Sequence, residues 1–308
     1  MRIVPQGIWR WKIAAYLFLA GMGAGAFIVG VVGDITGHVL PAKIAMTFAI
    51  PVVAVSTFFL IWDLGRPEKF FTAWLHPGTS WISRGFFILS ALILVGAIEI
   101  ALWVWPLNVL DANAGARAVL QVIGLVFAIA TCIYTGILIG IVISRPFWNS
   151  PLLPVLFLIS AISTGIGGLF FITPIWLAIA GISDARPIVP FMTLLEQVDM
   201  VLIVLEAVAV YVYMAIVLDR APHAVYLLTR GQLSAHFWGG FVLVGLLVPF
   251  AIEYFTFSMA DANGKMLSSF IAGVLVLIGG YLLRQLILAA GIRSPIYLRV
   301  AFQVRQGT

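Results

Sequence analysis

Eight apolar runs, near residues 13–33, 43–62, 83–105, 118–143, 152–180, 195–218, 236–257 and 268–291, follow one another with polar or proline-rich breaks between every pair. Each is close to the roughly 20 residues that a helix needs to cross the hydrocarbon core of a bilayer. Lipid offers no partner to a bare peptide group, so runs of this length predict helices, each satisfying its own backbone. Only 9% of the 308 residues are charged, against about 25% in a soluble domain. The expectation is an all-α integral membrane protein with eight transmembrane helices, one membrane domain over residues 1–308.

Arg2, Arg10 and Lys12 precede the first run, as basic residues do in a signal peptide. The run continues through Gly21, Gly25 and Gly30, past the roughly 7–15 residues of a signal core, with no convincing small-residue cleavage site. It reads as a retained helix. Eight spans place both termini on one face, shared with the connections after the second, fourth and sixth helices. This terminal face carries twelve basic residues, Arg2, Arg10, Lys12, Arg66, Lys69, Arg84, Arg145, Arg220, Arg230, Arg293, Arg299 and Arg305; the other carries four, Lys43, Arg117, Arg186 and Lys265. The positive-inside rule then predicts cytoplasmic termini in a prokaryotic inner membrane. The net charge of +5 reflects that topology and not nucleic-acid binding.

Three acids in the sixth run constrain function most. Glu196, Asp199 and Glu206 are offset by 0, 3 and 10 residues, which puts them within roughly 80° of one another on a helix. Each costs about 2.5–3.5 kcal/mol near the bilayer centre, so such groups face a polar interior, a partner charge or a proton route. They are either structural, paired with Arg or placed at a helix end, or part of a relay. Glu99, Glu253 and Arg284 are further ionisable groups within the spans. Glu206 and Arg284 lie roughly 8 Å apart in depth when counted along their runs, near enough to pair directly or through water.

Other chemistry is bounded by what is scarce. The single cysteine, Cys132, excludes a cysteine-ligated zinc or iron-sulfur site within the chain. The four histidines, His38, His76, His223 and His236, fall at run ends or in connections, so they do not supply two axial haem ligands at matched depth. A quinone needs an apolar slot with a few hydrogen-bond donors. Tyr134 and Tyr16, near the terminal-face ends of the fourth and first helices, are candidates, although a membrane tyrosine also serves as an interface anchor.

Two exits echo each other, Asp63-Leu64-Gly65-Arg66-Pro67 after the second helix and Asp219-Arg220-Ala221-Pro222 after the sixth, and the first and fifth helices share small-residue stretches. The echo suggests two four-helix halves, 1–150 and 151–308, as a parallel repeat. Close helix packing explains the glycines equally well.

Tyr16-Leu17-Phe18-Leu19-Ala20-Gly21, Asp63-Leu64-Gly65-Arg66-Pro67, Ser80-Trp81-Ile82-Ser83-Arg84-Gly85, Tyr134-Thr135-Gly136, Arg145-Pro146-Phe147-Trp148 and Gly279-Gly280-Tyr281-Leu282-Leu283-Arg284 occur in that order. Together they resemble the polysulfide reductase membrane-subunit family (NrfD/PsrC-like) over nearly the whole chain. That resemblance implies two four-helix bundles forming the quinone-reactive anchor of a respiratory oxidoreductase. Menaquinone or ubiquinone is then a bound substrate, with no haem or iron-sulfur cluster in this chain. The implied partners are a ferredoxin-like iron-sulfur subunit and a molybdopterin catalytic subunit, which carries the terminal substrate. Tyr134 matches the family's pocket tyrosine; Asp63 and Arg66 match the connection near the iron-sulfur partner; Tyr16 stands where some members place a histidine; the four together are the expected quinone-binding residues. Glu196, Asp199, Glu206, Glu253 and Arg284 then form a proton-transfer set reaching inward from the opposite face. A proton-coupled secondary transporter is the rival reading of the same acids, and a purely structural anchor is a third.

Overall fold

The computed structural model describes residues 11–63, 81–182, 184–259 and 261–292. Eight helices are long and apolar enough to span a membrane. They are α1 (Trp11–Ile35), α2 (Val39–Asp63), α3 (Trp81–Glu99), α4 (Ala114–Gly140), α5 (Leu152–Ile179), α6 (Val189–Leu218), α7 (His236–Phe257) and α8 (Ala262–Ala290). A π turn, Ile100–Val104, extends α3, and α7 is π-helical over His236–Leu247 before it becomes α-helical. A short helix, Pro222–Thr229, follows α6.

Several helices start earlier than hydrophobicity alone predicts. α6 begins at Val189 instead of residue 195, and α8 at Ala262 instead of residue 268. The reason at α8 is a cap: the Asp261 carboxylate accepts from the Gly264 amide at 2.6 Å, satisfying an otherwise orphaned donor and starting the helix inside a polar stretch. Asn113 does the same for α4, accepting from the Ala116 amide at 3.1 Å.

Each of α1–α4 packs on its sequence neighbours and α1 closes on α4; α5–α8 form a second ring in the same way. The expected two four-helix bundles are therefore present. They meet chiefly through α5, which lies against α1 and α4. At the α1–α5 crossing a Cβ on Gly25 would strike the Ala161 carbonyl, and one on Gly165 would strike the Gly25 backbone. Two main chains touch there, a contact open only to small residues.

At the terminal face, Trp148 Nε1 donates to the Ile287 carbonyl at 2.8 Å, Arg145 to the Gly291 carbonyl, and the Tyr213 hydroxyl to the Phe147 carbonyl. This Arg145–Trp148 turn ties the α4–α5 connection to α6 and α8.

Candidate functional site

Tyr16 lies five residues into α1 and Tyr134 six residues before the end of α4, which puts both about 8–9 Å inside the terminal face. Both are almost fully buried, and their side chains interact with each other. Neither hydroxyl makes a hydrogen bond of normal geometry among the described residues. Gly85 on α3 makes room for the pair, because a Cβ there would overlap the Tyr134 ring and hydroxyl. The structure thus unites the two tyrosines singled out from sequence, with the glycine of the Ser80–Gly85 motif as their floor. Asp63 closes α2; its side chain and all of Arg66 fall outside the described residues.

The acids of α6 lie on its buried face, in register with Phe191, Leu195, Ile203 and Tyr213. Starting from the face opposite the termini, Lys265 Nζ pairs with Glu196 Oε2 at 3.5 Å, and Ser269 donates to Glu196 Oε1 at 2.6 Å. Glu253 on α7 stands within electrostatic reach of Glu196 and Asp199, and Asp199 interacts in turn with Ser163 on α5. Two turns further along α6, Glu206 interacts with Ser160. Ser160 Oγ accepts from Arg284 Nη1 at 2.6 Å, and the same nitrogen donates to the Gly280 carbonyl at 2.9 Å. The guanidinium lies 5.4 Å from the Phe157 ring centroid and 6.0 Å from that of Phe18, within electrostatic reach of Cys132. Phe18 and Cys132 are each two residues from a member of the tyrosine pair.

The series therefore runs from the opposite face to the neighbourhood of Tyr16 and Tyr134. Both oxygens of Asp199 and Glu253, together with Glu206 Oε1 and Arg284 Nε, have no hydrogen-bond partner among the described residues. Unpartnered buried polar atoms are expensive, and they concentrate where a group must change its proton or accept a ligand.

The expected Glu206–Arg284 contact takes a different form from a direct pair. Among the described residues no ion pair joins them; they meet on the Ser160 hydroxyl. Glu206 lies 12 residues before the end of α6 and Arg284 six before the end of α8, an offset of six residues or about 9 Å. A long helical side chain runs back toward its own N-terminus, which brings the guanidinium to the serine. Gly21 and Gly280 leave the space it fills, since a Cβ on either would lie 3.2 Å from a guanidinium nitrogen.

Sequence reasoning missed Ser160, Ser163, Ser269 and Lys265 as members of this series. The spacing of Ser160 and Ser163, one helical face of α5, is the signal that could have found two of them. It also missed a second polar layer, near the opposite face of the first bundle. There Arg117 Nε donates to Asp34 Oδ2 at 2.8 Å, Gln121 Nε2 donates to the same oxygen at 3.1 Å, and Glu99 is fully buried beside Gln121. At the rim, Lys43 donates to Asp111 at 2.8 Å and 3.0 Å and holds that exposed carboxyl below the ordinary aspartate range.

Fold and interior together define a multi-span membrane protein with buried ionisable groups linking one face to a tyrosine pair near the other. The chain belongs to the polysulphide reductase NrfD family, whose pattern matches residues 3–295. It is 30% identical to the C subunit of polysulfide reductase from Wolinella succinogenes over 311 residues, covering 92% of this chain and 94% of that protein. It is also 30% identical to protein NrfD of Escherichia coli over 183 residues, 51% of this chain and 57% of that one. An NrfD homolog of Haemophilus influenzae is 25% identical over 317 residues, 93% and 95% of the two proteins.

Proposed function

We propose that this chain is the quinone-reactive membrane subunit of a respiratory oxidoreductase, exchanging electrons between a membrane quinone and an iron-sulfur partner at the terminal face. The observation that carries the reading is the Tyr16–Tyr134 pair: two buried hydroxyls that make no hydrogen bond of normal geometry among the described residues, in an apolar setting, in a member of this family. A quinone fits that chemistry, since its carbonyl oxygens accept what the hydroxyls offer. Menaquinone and ubiquinone both meet the requirement. Bound there, the quinone supplies a two-electron, two-proton couple in contact with the protein.

The residues divide that work. Tyr134 and Tyr16 donate hydrogen bonds to the carbonyl oxygens and fix the ring's depth. Gly85 keeps Tyr134 seated. The connection that begins at Asp63 and contains Arg66 faces a ferredoxin-like iron-sulfur subunit, with a molybdopterin subunit beyond it holding the terminal substrate. A multi-subunit assembly is supported by the Wolinella relative, itself one lettered component of a reductase.

Protons move separately, through α5–α8. Four buried carboxyls, Glu196, Asp199, Glu206 and Glu253, share two buried cations, Lys265 and Arg284. A bare carboxylate in such surroundings costs several kcal/mol, so charge balance leaves two of the four holding protons. Ser163 and Ser160 stand between the acids as hydroxyls able to donate and accept at once. The termini are assigned to the cytoplasm from the twelve-to-four basic count.

Purification in mild detergent with its accompanying subunits tests the reading. Quinol addition should reduce an iron-sulfur centre in the co-purified partner, and Tyr134→Phe should raise the KM for quinol. Unchanged kinetics in that variant remove the pocket from Tyr134. Substrate uptake by the isolated protein in liposomes, with no quinol response, would establish the transporter instead.

A further inference from the structure

The polar layer of the first bundle has no part in that scheme, yet it is built like the entrance to the acid series. Arg117 lies three residues into α4 and Gln121 seven; Lys265 lies three into α8 and Ser269 seven. Asn113 and Asp261 cap the two helices in the same way. In each bundle the third span adds a fully buried glutamate, Glu99 on α3 and Glu253 on α7, both of whose oxygens lack a hydrogen bond among the described residues. The bundles diverge one layer further in. The second continues through Asp199, Ser163 and Ser160, whereas the first is filled by Phe27 and Ile50, whose side chains occupy the space left by Gly124 and Gly96.

The groups facing Glu99 are Asp34 from α1 and Arg117 and Gln121 from α4. From α2, Lys43 is engaged with Asp111. Arg117 is already engaged, donating through Nε to Asp34 and through Nη1 to the Leu110 carbonyl at 3.0 Å. One cation therefore serves two carboxyls, and Asp34 takes its charge. An ionised Glu99 would be a second anion, uncompensated among the described residues, in a buried site. A neutral one can donate its O–H to Gln121 or to Asp34 Oδ1, which itself has no donor among the described residues.

We propose that Glu99 is a proton-binding site of the first bundle, drawing its proton from the face opposite the termini past the partly exposed Asp34–Arg117 pair. The bound species is a carboxylic acid formed from carboxylate and one proton, with no electron transferred. Phe27 and Ile50 separate this site from the tyrosine pair, so it is distinct from the series in α5–α8, and it does not depend on the quinone assignment.

The test is made on the full-length protein in mild detergent with the subunits that accompany it. Dicyclohexylcarbodiimide, which attacks protonated carboxyls in apolar surroundings, should modify Glu99, as located by peptide mass spectrometry, and the yield should fall as pH rises. Infrared spectra should show a carboxylic-acid carbonyl band that shifts in D2O, titrates with pH and disappears in Glu99→Gln. The substitution replaces a neutral acid by a neutral isostere, so its Tm should stay near that of the unaltered protein. A Glu99 that resists the reagent at every pH, or an acid band that neither titrates nor shifts in D2O, overturns the proposal. Should Glu99→Gln fail to assemble, the carbodiimide titration of the unaltered protein decides alone.

Discussion

Gly85→Ala probes the seat of the tyrosine pair while keeping both tyrosines in the sequence. The new Cβ would overlap the Cζ, Cε1 and hydroxyl atoms of Tyr134, and since these belong to a stiff ring wedged between α3 and α4, the ring must rotate or the helices must part. Overpacking of this kind costs about 1–3 kcal/mol. Displacing the hydroxyl would also remove the proposed hydrogen bond to a quinone, about 0.5–1.5 kcal/mol, or roughly a two- to tenfold loss of affinity. Two measurements separate the effects. Thermal unfolding in detergent, carried out on Gly85→Ala, Tyr134→Ala and the double variant, reports the strain, and quinol KM reports the contact. The strain belongs to the glycine–tyrosine contact only if it vanishes when Tyr134 is an alanine. A Gly85→Ala penalty that persists in that background, with KM unmoved, refutes both the steric reasoning and the placement of Tyr134 in the pocket.

Asp199→Asn and Glu206→Gln should abolish or strongly slow quinol-linked proton uptake in proteoliposomes while the protein still assembles; uptake at the original rate in both variants ends the relay proposal. Ser160→Ala removes the hydroxyl that Arg284 and Glu206 share, leaving a buried guanidinium short of an acceptor, and should lower stability by about 1–3 kcal/mol in thermal unfolding. The Lys43–Asp111 pair acts through a depressed folded-state carboxyl, so its contribution is complete above the ordinary aspartate value of 3.8 and is lost as pH falls through the lower folded value. Acid unfolding of Lys43→Ala should therefore lack that small component, which salt also screens in the unaltered protein. A C-terminal reporter fusion should be active on the cytoplasmic side; a signal from the opposite side would mean that the basic terminal face serves an acidic partner and not topology.

The membrane made part of this molecule unusually legible. Because every charge inside lipid is costly, Glu196, Asp199 and Glu206 stand out from their run, and their common spacing defines a face that the structure finds buried. The eight spans follow from length and apolarity alone. Tyr16 and Tyr134 are less conspicuous as residue types, and the resemblance of their flanking motifs selected them. What remained illegible depends on contacts distant in sequence. Asp34 and Arg117 are 83 residues apart, and nothing local to either announces the pair. Ser160 and Ser163 are as suited to lipid-facing back-bonding as to a relay; only α6 and α8 packing beside α5 gives them carboxyl and guanidinium neighbours. Lys265 sits before the apolar part of its helix, so a hydropathy reading assigns it to a loop, while the Asp261 cap draws it into α8 and against Glu196.

The contact of Gly25 with Ala161 and Gly165 bears on how the two halves of the molecule work together. With main chain against main chain, there is no side chain to compress or rotate, so the bundles have little freedom to slide or rock past each other. The tyrosines are held by α1, α3 and α4, and the acids by α5 through α8; the spacing between them is set at this joint like the gap between two fixed electrodes. A transporter that alternates by tilting one half against the other would have to break the joint in every cycle. The proposed passage of electrons at one side and protons at the other benefits from a joint that never moves, and enlarging Gly25 or Gly165 should detune that separation before it disturbs either site's own chemistry.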